Sequence, residues 1–338
     1  MTRRSVVLGS LSAALIAPGR GSALLSRWRQ AADYSADHRG VSMLVMQRGQ
    51  ILFENYPRDG NPTVAYELAS GTKSFNGITA AAAAFDGFLS IDEPCAATLS
   101  EWRGETLKSA ITIRQLLTLT SGIKVRIGGR PPGYREALDA EVVHRPGTQF
   151  SYGAAPFQIF GEIMQRKLSA RRFQGTSVDY LKQRVLGRIG ALPGGWRLGR
   201  DGNPMLPQGA QFTARHWATF GQFVLDASGG GANGLDHAVL DALFQGTSAN
   251  PGYGLTWWLL RPGLIGPSER AGMPKGLTGD LKAEDIVMAA GAGDQRLYLL
   301  RKRQLIVVRQ ADRIGLSLFG LGSGYSDGAF LKLVLADA

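Results

Sequence analysis

Leu68-Ala69-Ser70-Gly71-Thr72-Lys73-Ser74-Phe75 is the stretch on which the reading of this chain turns. It stands where an extended segment, Thr63 to Ala69, gives way to a helix. That helix is expected to begin at Lys73 and to run through Gly77 and the alanines Ala80 to Ala84 as far as Leu89. Residues three apart share one helical face, so Lys73 can set its amine beside the Ser70 hydroxyl. A serine hydroxyl is a weak nucleophile until a neighbouring base accepts its proton. Free N–H groups and a partial positive charge at a helix start suit a developing oxyanion. Ser70 to Lys73 therefore reads as a candidate acyl-transfer centre. A capping serine followed by a solvated lysine is the alternative, and the rest of the chain has to decide between them.

The chain has 338 residues, 44% of them hydrophobic and 19% charged, which is the balance of a globular protein with room for a sizeable core. A single cysteine, Cys95, excludes an internal disulfide, and its neighbours read as an exit from a helix rather than a reactive site. His38, His144, His216 and His237 lack ligand spacing, and neither His-Glu-x-x-His nor Cys-x-x-Cys occurs, so no metal or other cofactor is implied. The formal charge is +11, but the basic residues are dispersed and accompany no nucleic-acid-binding module. Nucleic acid is not an expected partner. No sequence feature sets an oligomeric state.

Thr2-Arg3-Arg4-Ser5-Val6-Val7-Leu8 resembles a twin-arginine export signal. An apolar run, Val6 to Ala17, follows it, and Gly21-Ser22-Ala23 offers small residues for cleavage. The run is too short for a stable membrane anchor. Removing residues 1–23 takes away Arg3, Arg4 and Arg20 and leaves +8. The expectation is a periplasmic or secreted mature chain of residues 24–338; an uncleaved N-terminal helix is the alternative.

Val41 to Met46 and Ile51 to Glu54 flank Arg48-Gly49 as a hairpin. Helical patterns follow at Ile111 to Gly122, where the glycine should end the helix, and at Phe157 to Lys167, Ser177 to Leu186 and Thr213 to Ala227. Strand patterns return at Asp285 to Ala290, Arg296 to Leu300 and Gln304 to Val308, and a helix from Asp327 to Leu335 closes the chain. Strands at both ends and helices between them imply an α+β fold. One antiparallel sheet, from about 24–75 and 250–338, would carry an inserted helical lobe, about 76–249.

Three segments together extend the Ser70 reading. They are Leu68 to Phe75; Ile113-Arg114-Gln115-Leu116-Leu117-Thr118-Leu119-Thr120-Ser121-Gly122; and Pro146-Gly147-Thr148-Gln149-Phe150-Ser151-Tyr152-Gly153-Ala154. In order and spacing the chain resembles the serine β-lactamase and penicillin-binding-protein superfamily. The resemblance is to the branch with class C β-lactamases, D-aminopeptidases, family VIII esterases and 6-aminohexanoate-dimer hydrolases, and it runs from about Val41 to the C-terminus. It implies a β-lactamase/transpeptidase-like fold and an acyl-enzyme mechanism. Ser70 would be the nucleophile, and Lys73 and Tyr152 the base pair. Tyr152 would share a proton with Lys73, whose ammonium favours the phenolate.

The chain departs from the family pattern in two places. Ala154 stands where the family's Tyr-x-Asn has its asparagine, so no side-chain amide is available there to hold substrate or lysine. Lys-Thr-Gly is missing from its expected strand; Lys275-Gly276-Leu277-Thr278-Gly279 lies in a turn-rich segment and reads as coincidence. The corresponding edge is Ala290-Gly291-Ala292-Gly293-Asp294-Gln295, similar to the family's "GxGGQ". There the N–H of Ala292, or of a residue beside it, would complete an oxyanion hole with that of Ser70. Gly291, Gly293, Asp294 and Ala154 would border the substrate. Asp294 would either select cationic substrates or pair with Arg296. Tyr253-Gly254-Leu255-Thr256-Trp257 resembles the family's "YGxGW", which offers Trp257 to the acyl pocket, with core packing as its other fate.

The resemblance implies an exported serine hydrolase of esters or small amides, with small-molecule ester, amide or peptide-like partners. A β-lactamase or D-Ala-D-Ala-type carboxypeptidase is the rival within enzymes. A decayed scaffold that binds peptidoglycan fragments is the rival outside them.

Overall fold

A computed structural model describes residues 18–125, 130–230, 234–260, 284–318 and 321–335. The arginine pair of the leader and the Lys275 to Gly279 stretch lie outside them. The elements, in chain order, begin with α1 (Pro18–Asp37), β1 (Gly40–Gln47), β2 (Gln50–Asn55), β3 (Tyr66–Glu67) and α2 (Lys73–Phe85). The middle of the chain gives α3 (Ile113–Leu117), α4 (Tyr134–Leu138), α5 (Ala155–Ala170), α6 (Ser177–Leu181), β4 (Gly195–Trp196), β5 (Ala210–Phe212), α7 (Ala214–Ser228) and α8 (His237–Leu243). The last part gives β6 (Trp258–Leu259), β7 (Ile286–Gly291), β8 (Gln295–Leu300), β9 (Leu305–Ala311), α9 (Ile314–Leu318) and α10 (Asp327–Leu335).

Among the described residues six strands form one sheet in the order β2-β1-β9-β8-β7-β6, antiparallel at every pairing. The first two strands of the chain thus join the last three through β1 and β9, the α+β arrangement expected from the sequence. Helices α1 and α10 cover one face and α7 the other. With both faces covered, β7, β8 and β9 are buried along their whole lengths and read as apolar runs rather than alternations. Successive side chains still point to opposite faces. Leu297 and Leu299 meet Gly221 of α7, where a Cβ would lie 3.0 Å from each. Tyr298 faces the other way and stacks on Phe330 of α10.

The central helix α2 is buried from Lys73 to Ala83. Its alanines let neighbours approach closely. Gly77 brings the Leu255-Thr256 segment closer still: a Cβ there would lie 2.7 Å from the Thr256 hydroxyl. The helix stops at Phe85 rather than Leu89. Gly87 adopts a left-handed φ of 70° and Phe88 N–H bonds back to the Ala83 carbonyl, a glycine-type terminus. Helix α3 is likewise shorter than expected. Thr112 and Gln115 form a capping box at its start. Leu119, not Gly122, reverses the chain, with φ 59°. Gly122 serves a different need, since a Cβ there would lie 2.0 Å from the His144 carbonyl oxygen.

A second sheet, β3-β5-β4, is small but sits beside the Ser70 turn. Leu68 N–H donates to the Ala210 carbonyl at 2.9 Å and extends the β3–β5 pairing up to that turn.

Candidate active site

Ser70 lies in a single 3₁₀ turn, Ala69–Thr72, leading directly into α2. Ala69 carries a left-handed φ of 45°, a conformation an alanine adopts only under outside constraint. The constraint is visible. The Thr72 hydroxyl donates to the Ala69 carbonyl at 2.7 Å and accepts from Ala210 N–H at 3.1 Å. Gly71 N–H donates to the Leu68 carbonyl at 2.9 Å. The turn is thereby fastened at both ends, and Ser70 remains partly exposed.

Lys73 is buried at 4% exposure, yet its Nζ lies 3.0 Å from Ser70 Oγ. A second bond runs from Nζ to the Pro207 carbonyl at 3.1 Å. The amine stands 4.8 Å from the ring centre of Tyr152 and 5.5 Å from that of Phe157. Burial lowers the Lys73 pKa to about 7. A lysine so poised has a substantial neutral fraction near pH 7 and can accept a proton from Ser70.

Tyr152 reaches the same place from the loop before α5. Ser151 N–H donates to the Leu119 carbonyl at 2.9 Å, and Gly147 N–H to the Thr120 carbonyl at 2.7 Å, so the end of α3 holds this loop. Burial raises the Tyr152 pKa to about 12, against the hydrogen bonding of Ser70 and the more distant charge of Arg296, which both pull it down. Burial runs against the expected phenolate. The Lys73 amine lies over the ring face rather than at the hydroxyl, and enclosure outweighs it. Burial thus favours the neutral phenol of Tyr152 beside Ser70.

Gly291 comes to the serine turn at the end of β7, and Ala292 follows it. A Cβ on Gly291 would lie 2.0 Å from the Leu68 carbonyl oxygen and 3.1 Å from Gly71 N, so glycine permits this contact. The reversal into β8 uses Gly293 and Asp294 at φ 71° and 61°. Asp294 Oδ2 accepts from the Ser323 hydroxyl at 2.6 Å, and its Oδ1 lies 3.6 Å from Arg296 Nη2. Of its two possible roles, the geometry gives the pairing with Arg296. Arg296 is itself buried, donates to the Gly291 carbonyl at 2.9 Å, and is paired with Asp327 at 2.8 Å.

Trp257 requires a correction. It is fully buried, 6.4 Å from Phe220 in a stacked arrangement and edge-on to Phe244 at 5.9 Å, so it belongs to the core and not to an acyl pocket. Thr256, at φ 74°, turns the chain just before it. Its neighbour Trp258 is the tryptophan near Tyr152, with ring centres 5.4 Å apart. Phe150 and Tyr253 complete that aromatic wall. Ala154 caps α5 and contributes no polar side-chain atom.

Three groups at this site escaped the sequence reading: the Pro207 carbonyl and the buried amides of Asn76 and Gln158. Asn76 Nδ2 donates to the carbonyls of Lys73 at 3.2 Å and Leu206 at 3.0 Å. Gln158 Oε1 accepts from Leu206 N–H at 3.1 Å, while its Nε2 donates to the Pro132 carbonyl at 2.7 Å. Asn76 had a signal, since it stands three residues beyond Lys73 on the same helix. Among the described residues no group of three His, Cys, Asp or Glu is placed to hold a metal ion. No described helix is long and apolar enough to cross a membrane.

A family model described as Beta-lactamase matches residues 25–308. Protein flp of Staphylococcus aureus (strain MW2) is 26% identical over 165 residues, 42% of this chain and 33% of its own length. The chain thus matches about a third of the length of that curated relative. Among the solved structures that share the fold are the following two. A putative 6-aminohexanoate-dimer hydrolase from Bacillus anthracis superposes with a TM-score of 0.65 at 15% identity, covering 85% of this chain and 79% of that one. EstCE1, described as a hydrolase with promiscuous acyltransferase activity, gives 0.67 at 14% identity, covering 93% and 98%.

Proposed function

This chain belongs to the beta-lactamase family, and from that premise we propose that it is a serine hydrolase that cleaves ester or small amide bonds through an acyl-enzyme. The observation that carries the reading is the 3.0 Å contact between Ser70 Oγ and a buried Lys73 amine whose pKa lies near 7. Ser70 Oγ attacks the substrate carbonyl carbon and its proton passes to Lys73 Nζ. The N–H groups of Ser70 and Ala292 receive the oxyanion. Lys73 and the neutral phenol of Tyr152 then hand a proton to the leaving group, and the carbonyl re-forms as the ester of Ser70. Water attacks that ester with the same base and regenerates the serine. The fold neighbours named a 6-aminohexanoate-dimer hydrolase and a hydrolase with acyltransferase activity support ester and amide chemistry. Ala154 and the Ala289-Ala290-Gly291 strand end, without a side-chain amide or a lysine, support it over β-lactam turnover. Arg3-Arg4 and the apolar run after it support export through the twin-arginine route to the periplasm or beyond.

The test uses residues 24–338, a fluorophosphonate probe, short p-nitrophenyl esters and a chromogenic cephalosporin. Labelling of Ser70 with faster ester than cephalosporin turnover is expected. Ser70→Ala should stay folded and lose both labelling and turnover. An unlabelled Ser70 would remove the enzyme reading; fast cephalosporin hydrolysis would reverse the substrate order.

A further inference from the structure

Ala154 brings no hydrogen-bonding side chain to the serine–lysine pair, yet Lys73 is not left with Ser70 alone. Its second partner is a backbone carbonyl, that of Pro207. A neutral amine has two N–H bonds and one lone pair. For Lys73 to take the Ser70 proton, the lone pair must face Ser70 Oγ. An acceptor that engages one N–H stops rotation about the last bond of the side chain and aims the lone pair. The Pro207 carbonyl is in position to do so, and its own placement is set by the residue before it.

That residue, Leu206, is gripped on both sides. Gln158 is fully buried, and both ends of its amide are engaged: Oε1 with Leu206 N–H at 3.1 Å and Nε2 with the Pro132 carbonyl at 2.7 Å. Asn76, buried at 3% exposure, donates to the Leu206 carbonyl at 3.0 Å and to the Lys73 carbonyl at 3.2 Å. Burying an amide is unfavourable unless its polar atoms are paired. Two such amides converge on one residue, Leu206, through the peptides on either side of it, and the next carbonyl touches the lysine. Gln158 comes from α5, one turn beyond Ala154, and Asn76 from α2, one turn beyond Lys73. The clamp therefore joins the helix that carries the base to the helix that follows Tyr152.

We infer that Gln158 and Asn76 are positioning residues that clamp Leu206 so that the Pro207 carbonyl orients the Lys73 amine on Ser70, which rests on the hydrolase reading above. A carbonyl acceptor also favours ammonium over amine, because a charged donor makes the stronger bond. Loosening the clamp should therefore slow proton transfer and also lower the Lys73 pKa.

Gln158→Met keeps the length of the side chain and removes both amide bonds; Asn76→Ala releases the other side of Leu206 in a residue type suited to a buried helix. Melting curves identify the folded variants, and p-nitrophenyl ester kinetics and fluorophosphonate labelling rates are read over pH 5–9. In whichever variant folds, kcat and the labelling rate are expected to fall by roughly 10- to 100-fold with KM little changed. The acid limb of kcat/KM should move down by about half a pH unit. General loosening of the fold would not move that limb in this direction. A folded variant with unaltered kcat and an unmoved limb, beside an active wild type, overturns the clamp alone. A wild type that neither labels at Ser70 nor turns over ester overturns the hydrolase reading and the clamp with it.

Discussion

The buried amine of Lys73 is costly to fold. Its pKa falls from 10.5 to about 7 because its amine is buried. Between those values the unfolded chain holds a proton that the folded chain does not, so unfolding takes one up. The contribution of this group to stability therefore improves as pH rises from about 7 to 10.5, and below 7 the full penalty stands. Its size is on the order of 5 kcal/mol. Lys73→Met is expected to abolish ester turnover while raising the denaturation midpoint, by roughly 1–3 kcal/mol of stability once the lost hydrogen bonds are counted. A less stable, folded Lys73→Met would contradict this account. In the wild type, kcat/KM should fall about tenfold per pH unit below pH 7, as the free amine is lost. Tyr152, raised to about 12, should add no limb near neutrality. That Ser70, Lys73 and Tyr152 come together was legible in the sequence, because the pattern consists of side-chain types at set spacings. The ionisation of Tyr152 was not, because it depends on enclosure by parts of the chain far apart in sequence. The Pro207 carbonyl was not legible either, since every residue carries a carbonyl and only the fold aims one.

Among the elements, the end of β7 is the most sensitive. Gly291→Ala would set a Cβ 2.0 Å from the Leu68 carbonyl oxygen, against backbone that has no rotamer to give. The strand and the Ser70 turn must then part. A loss of about 1–3 kcal/mol is expected. Turnover should drop about 100-fold through misplacement of the oxyanion donors. Wild-type rates in Gly291→Ala would separate this strand end from the chemistry. Elements with strong periodicity were readable: the β1–β2 hairpin, α5, α7, β7 to β9, and α10 at its observed bounds. The two-residue strand β4 was not, because its order comes from pairing with β5 rather than from any local pattern, whereas β3 falls within the extended segment expected before Ser70. Trp257 and Trp258 show a finer limit. Adjacent strand residues face opposite ways, so a sequence offers the pair without saying which one meets the core. The left-handed Thr256 ahead of them decides it.

At the scale of the whole molecule, a buried charge cluster ties the C-terminal helix to the site. Arg296 and Arg309 stand directly opposite each other on β8 and β9, an unfavourable pairing in isolation. Asp327 at the start of α10 answers Arg296, with Tyr298 bonded to the same carboxylate and to Tyr325. Arg309 donates to the Asp294 carbonyl at 2.7 Å and lies over the Tyr325 ring at 4.0 Å. Removing one partner of a buried pair leaves the other uncompensated. Asp327→Asn is therefore expected to lower stability by about 3–5 kcal/mol in denaturant titration. It should also slow ester turnover in the fraction that stays folded, because Arg296 braces the Gly291 carbonyl.

The join between β1 and β9 has a consequence for how the protein is made. Ser70 and Lys73 leave the ribosome early, whereas the strand end that packs against their turn, at Gly291, comes more than two hundred residues later. A half-synthesised chain therefore carries Ser70 without the backbone that closes against it. The emerging polypeptide has an unfinished cleft until its last strands are threaded into place.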